Sequence, residues 1–192
     1  MRRRWFAPLA IAALLATGAA AAADAIRWPG SSLYNLESHW TTQDGASQTL
    51  DAFAGQPVVV AMGYTTCKDM CPAIVADMMW IEKHLASGAA LHVRFAFFSF
   101  DPEADKPERL KLYAEGHGLD PGRWTLLSGD DDAVRELAAA LDVPFRPNDQ
   151  NGFDHAAVIS LVDREGRVVF QQRGVHSDEV LAKLNELLAK GE

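Results

Sequence analysis

Cys67 and Cys71 are the only cysteines of the chain, and they stand in the run Gly63-Tyr64-Thr65-Thr66-Cys67-Lys68-Asp69-Met70-Cys71-Pro72. Two thiols at that spacing can close on a soft metal ion, cycle as a redox dithiol, or rest as an inert bridge. A thioredoxin-type redox pair has two residues between its cysteines and this pair has three, which weighs against the oxidoreductase reading. A bridge across so short a loop removes little entropy from the unfolded chain, so reinforcement is a poor use for it. The metal reading is preferred.

The elements around the pair must present both sulfurs together. Val58 to Tyr64 is short and continuously apolar, as a strand buried on both faces is. Ile74, Val75, Met78, Met79 and Leu85 then recur at helical spacing, with Gly88 as a stop. If Cys71 opens this helix with Pro72 at its first position, where a missing N–H costs nothing, Cys67 lies in the turn before it. Both thiols then share one side, and the positive end of the helix favours their thiolate forms. Leu91 to Phe100 reads as a second strand, completing a parallel βαβ unit.

Pro107 to about Glu115 is predicted as a helix, Trp124 to Leu127 as a strand, and a helix capped by Asp130 or Asp131 runs to about Leu141. Residues 145–154 are polar and read as an exposed loop, with His155 at its end. Ala156 to Val162 and Val168 to Gln172 form a hairpin, and Ser177 begins a last helix with Val180, Leu181, Leu184, Leu187 and Leu188 on its apolar stripe. Residues 24–47 are irregular, with Trp28, Leu33, Leu36 and Trp40 packing them onto the domain, and Thr49 to Phe53 is a short strand or turn. The order is α/β and thioredoxin-like: a central mixed sheet flanked by helices, with a helix-strand-helix segment, residues 101–145, inserted between its halves. In such a sheet the cysteine loop lies at the carboxyl end of a strand, where ligands bind, and the start of the hairpin carries His155 toward it. Two thiolates and one imidazole suit Cu(I), whereas a closed zinc site takes a fourth ligand.

Residues 1–23 have the form of a secretory signal: Arg2, Arg3 and Arg4, an apolar run from Trp5, and several small-residue cleavage sites from Ala19 to Ala23. Retained, the run would serve as an N-terminal membrane anchor. Either fate puts residues 24–192, one domain, outside the cytoplasm in a bacterial periplasm, where nearby thiols oxidise unless something keeps them reduced. Loss of the three arginines takes the formal charge from −8 to −11, which argues against nucleic acid and suits a cation or a basic partner.

Other residues with chemical potential have simpler readings. Met70 offers a thioether in the loop but reads as packing or partner surface, and Met78 and Met79 as core. His39, His84, His92, His117 and His176 lack neighbouring ligands. Ser99, Asp101 and Glu103 read as a turn and helix approach without catalysis.

The cysteine run, followed by Ser99-Phe100-Asp101-Pro102-Glu103 and then His155, resembles the SCO/SenC family of copper-binding proteins over about Thr41 to Leu188. The resemblance implies a thioredoxin-like fold, with Cys67 and Cys71 as thiolate ligands and His155 as the imidazole ligand of Cu(I) or Cu(II). It also implies delivery of copper to the binuclear centre of cytochrome c oxidase, with thiol–disulfide exchange or redox sensing as the role of some members. Asp69 matches an acidic residue common in the loop. Lys68 stands where the family usually has proline, and Thr66 where it commonly has histidine. These departures leave the ligands intact and allow another respiratory copper enzyme as client.

The expected function is thus a copper chaperone, exchanging ligands with an acceptor protein and served by a copper donor or thiol reductant. The alternative is a thiol–disulfide oxidoreductase acting on the acceptor's cysteines, with Cys67 attacking and Cys71 resolving. A peroxiredoxin-like peroxidase is the weakest reading, because the second cysteine follows only four residues on and the chain lacks a clear peroxidatic Thr-x-x-Cys setting with a supporting arginine.

Overall fold

The computed structural model describes residues 27–86, 88–149, 152–174 and 177–190. The signal or anchor expected at residues 1–23, and His176, lie outside them. No helix among the described residues is long and apolar enough to cross a membrane.

A seven-stranded sheet forms the frame. Its strands are β1 (Trp40–Thr42), β2 (Ser47–Gln48), β3 (Val58–Gly63), β4 (Arg94–Ser99), β5 (Trp124–Gly129), β8 (Val158–Val162) and β9 (Val168–Arg173), in the order β2-β1-β5-β4-β3-β8-β9. A separate pair, β6 (Phe145–Pro147) and β7 (Phe153–His155), stands apart from it. Strands β3, β4 and β5 are parallel, while β8 runs antiparallel to β3 and β1 to β5. The sheet is mixed, as expected, and β3 lies between a parallel and an antiparallel neighbour.

The described residues form four α-helices, α1 (Met70–His84), α2 (Pro107–His117), α3 (Asp131–Ala140) and α4 (Ser177–Lys190). Every residue of β3 is buried because both faces of the sheet are covered. Val59 and Ala61 pack with Ile74, Val75, Met78 and Ile81 of α1, Leu110 of α2, and Val180 and Leu184 of α4. Val58, Val60 and Met62 face Val134 and Leu137 of α3 together with Trp40 and Phe53. The buried Ile, Val and Met side chains of α1 contribute about 2 kcal/mol each, which fixes the helix against the strand that precedes it.

Several boundaries differ from expectation. Helix α1 begins at Met70, so Pro72 is its third residue, still within the first turn where an N–H has no intrahelical partner. The helix ends at His84, and Gly88, at φ 98°, instead precedes a 3-10 turn over Ala89–His92. Leu50–Phe53 is likewise a 3-10 turn, and the lead-in contains β1, whose Trp40 is fully buried edge-on to Phe98.

The largest correction concerns residues 145–154, which form β6 and β7 rather than an exposed loop. Phe145 and Phe153 pack on the core through Phe100. Arg146 and Asp154 face each other across the pair, with Arg146 Nε and Nη2 donating to Asp154 at 3.1 and 3.0 Å. His155 therefore ends β7, and β8 begins three residues later.

Candidate metal centre

The end of β3 and the start of α1 place the two sulfurs. Gly63 is tightly enclosed: a Cβ there would lie 2.6 Å from Cζ of Phe97 and 3.0 Å from Cys71 Sγ. Cys71, in the first turn of α1, is fully buried, and its sulfur accepts the Tyr64 amide at 3.4 Å. Cys67 is half-buried in the turn before the helix. Asp69, at the N-cap position, makes no side-chain capping bond, and the Cys71 N–H donates to Cys67 Sγ at 3.4 Å. The Cys67 sulfur thus accepts one of the helix's otherwise orphaned amides.

The two thiols are unbonded and differ in ionisation. Burial raises the Cys67 pKa, but the amides of Cys71, Asp69 and Met70 outweigh it and hold the thiol below its ordinary value. Burial pushes Cys71 strongly upward, and the neighbouring Cys67 adds to the rise. The Cys71 proton therefore leaves only when a cation or a reaction at sulfur compensates it.

His155 arrives from a strand 84 residues away in sequence, and its Nε2 lies 3.3 Å from Cys71 Sγ. Its Nδ1 lies 3.1 Å from the Ala156 carbonyl, an acceptor, so the proton belongs on Nδ1 and the Nε2 lone pair faces the sulfurs. Phe100 and Tyr64 flank the ring at 5.1 and 6.1 Å between centroids. One donor atom from each of Cys67, Cys71 and His155 lies within 4.8 Å of the others. A cleft of about 560 Å³, bordered by Cys67, Lys68, Met70, Asp154 and His155, leads to them.

Desolvation holds the His155 pKa below its ordinary 6.5, opposed by the Ala156 carbonyl and Asp154. The unfolded chain therefore takes up this proton before the native one does, so the contribution of His155 is intact above 6.5 and is lost as pH falls toward the depressed native value. In the metal-free protein, urea midpoints should fall with acidification through that window, and His155→Ala should flatten that part of the profile. An unchanged slope in the variant would assign the acid sensitivity elsewhere.

A family profile described as SCO1/SenC matches residues 32–189. The chain belongs to the SCO1/SenC family.

This SCO1/SenC chain is 29% identical to the SCO1 protein homolog of Bacillus subtilis over 138 residues, 70% of this chain and 71% of that protein. It is similar to the structure of Bradyrhizobium japonicum ScoI with copper bound, at 28% identity and a TM-score of 0.66, covering 78% of this chain and 96% of the other. It is also similar to BsSco, described as having a disulfide switch and as a member of the Sco family of cytochrome c oxidase assembly proteins. That match has 26% identity and a TM-score of 0.68, over 79% of this chain and 91% of the other. The thioredoxin-like fold expected from the sequence is the fold of this chain.

In this SCO1/SenC chain the candidate site rests on further residues, of which Asp105 carries no sequence signal. Asp105, fully buried, accepts from the Thr65 amide at 2.9 Å, from the Thr65 hydroxyl, and from Ser99 Oγ at 2.5 Å. It ties the cysteine loop to the end of β4. Ser99, read as part of a turn, belongs to this network and also accepts the Asp101 amide at 2.9 Å. A polar residue between two prolines gives no sign of burial; only its donors reveal the role.

Met70 is 40% exposed at the cleft rim, while Met78 is core and Met79 packs beside it. Among the described residues the group formed by Cys67, Cys71 and His155 includes none of His39, His84, His92 or His117. His84 stacks on Trp80, and His117 bonds the Tyr113 carbonyl through Nδ1 at 2.8 Å.

Proposed function

We propose that this chain is a periplasmic copper chaperone that holds copper through Cys67, Cys71 and His155 and delivers it to a respiratory copper enzyme, such as the binuclear centre of cytochrome c oxidase. The observation that carries the reading is the convergence of two sulfurs and an imidazole nitrogen whose lone pair faces them. That donor set suits Cu(I), and the nitrogen also accommodates Cu(II). The copper-bound relative and the oxidase-assembly relative support the cargo and the client. Residues 1–23 would direct or tether the chain, and residues 24–192 would form the working domain, with an acidic surface suited to a cation or a basic docking face.

Delivery is ligand exchange. Cys67, at the cleft, would be displaced first by an acceptor thiolate, while buried Cys71 and His155 keep hold until a second acceptor ligand engages. A donor protein would load the site by the reverse sequence.

The test is copper binding by the reduced protein under anaerobic conditions, with Cu(I) followed by competition and Cu(II) by absorption. Tight one-to-one binding is expected, and His155→Ala should weaken Cu(II) by about a hundredfold, the order of one ligand's share in a structural zinc site. Weak binding indifferent to His155 would sink the copper reading.

A second reading is favoured by the contrast in exposure between the sulfurs. Cys67 would attack a disulfide of the acceptor, forming a mixed disulfide and releasing one acceptor thiolate. Cys71 would then attack Cys67 Sγ, releasing the second thiolate and leaving this chain oxidised, to be restored by a thiol reductant.

A further inference from the structure

Tyr64 joins the two parts of the site that come from opposite halves of the chain. Its amide donates to Cys71 Sγ, while its hydroxyl sits on the backbone of Phe153, two residues before His155. That hydroxyl accepts the Phe153 N–H at 3.2 Å and reaches the Phe153 carbonyl at 3.4 Å. The ring stands edge-on to Phe153 at 5.4 Å. The hairpin approaches so closely that a Cβ on Gly152 would lie 2.6 Å from the Tyr64 oxygen.

These contacts matter because β7 pairs only with β6 and has no place in the main sheet. A three-residue strand paired on one side is weakly held by its own ladder. The imidazole then depends on side contacts for its position, and the hydroxyl of Tyr64 is the polar contact running from the strand end before the cysteine loop to β7.

We propose that the Tyr64 hydroxyl latches the β6–β7 hairpin to the cysteine loop, sets His155 against Cys71, and thereby tunes the site's preference between Cu(I) and Cu(II). The inference rests on the copper reading of the site. Two thiolates satisfy Cu(I), whereas Cu(II) draws more on the imidazole nitrogen, so loosening the hairpin penalises Cu(II) selectively. Tyr64 is a positioning residue here, acting through His155.

Tyr64→Phe keeps the ring and the amide bond to Cys71 and removes the hydroxyl, with its bonds to Phe153 and its contact with the Cys67 side chain; Gly152→Ala disturbs the Phe153 side of it alone. Cu(II) affinity should fall by about tenfold, with a shifted sulfur-to-copper absorption band, and Cu(I) affinity by no more than about threefold. In the metal-free protein, the Phe153 amide should exchange its hydrogen faster in the variant while far-UV circular dichroism is unchanged. Gly152→Ala should reproduce the selective Cu(II) loss, and adding it to Tyr64→Phe should cost little more, because the two changes break one contact.

A Tyr64→Phe protein with wild-type Cu(II) affinity, spectrum and Phe153 exchange would overturn the latch. Equal losses for both oxidation states would also overturn it, in favour of general support of the fold. If the wild-type protein binds no copper, the functional reading fails. Phe153 exchange and the His155 ring resonances then decide the latch alone: unchanged values in the variant overturn it, and altered values retain the positioning role without its copper consequence.

Discussion

Cys71→Ser should cost the protein roughly a hundredfold to a thousandfold in Cu(I) affinity while leaving it folded. In a structural four-ligand zinc site, about 10–16 kcal/mol is shared among the ligands, or about 3 kcal/mol each, and a Cu(I) thiolate is taken as of the same order. The serine hydroxyl can accept the Tyr64 amide as the sulfur does and is nearly isosteric with it, so the helix entrance has little to lose. A hard oxygen is nevertheless a poor partner for Cu(I). Competition with a Cu(I) chelator under anaerobic conditions reads the change. An affinity within tenfold of wild type would remove Cys71 from the site. The same variant, with Cys67 left alone, discriminates the redox reading, because a mixed disulfide accumulating with an acceptor would mark Cys67 as a nucleophile.

Asp105→Ala should destabilise the metal-free protein by about 3 kcal/mol, since it strands the Thr65 amide, the Thr65 hydroxyl and the Ser99 hydroxyl in a buried place. Asp105→Asn should cost only about 1 kcal/mol. Its carbonyl oxygen can serve Thr65 N–H and Ser99, and its amide can donate to the Thr65 hydroxyl, which turns to accept. Urea unfolding at neutral pH, read by tryptophan fluorescence, measures both. Equal losses for alanine and asparagine would show that shape, not the three hydrogen bonds, is what the position supplies. The copper affinity of the alanine variant should also fall, because Thr65 lies two residues before Cys67.

The three proposed ligands were legible in the sequence because their chemistry is rare: two cysteines in the whole chain, and a histidine at a strand end that topology brings to them. The frame was legible too, since Val58 to Gly63 is apolar without alternation, α1 and α4 carry apolar residues at helical spacing, and Asp130 marks the start of α3. The supports were harder to see. Asp105 and Ser99 look like ordinary turn residues until three donors converge on one carboxyl group. Strands β6 and β7 were hidden by Pro147, Asn148, Asn151 and Gly152, whose turn-forming composition masked Phe145 and Phe153, the side chains that seat the pair on the core. The ends of α1 differ by a few residues from those that its glycine and proline suggest: Gly88 lies beyond the helix, and Pro72 sits inside its first turn.

The strand order around β3 has a consequence for the life of the chain before it is complete. Because β8 runs antiparallel beside β3, a nitrogen from residue 155 meets sulfurs from residues 67 and 71, and a polypeptide emerging in order displays its cysteines some 84 residues before its imidazole. Until residue 155 is in place, the two sulfurs lack their third donor. Closing so long a loop costs chain entropy that the native contacts must repay. The assembled trio thus marks completion: whatever binds all three donors stabilises only the finished architecture.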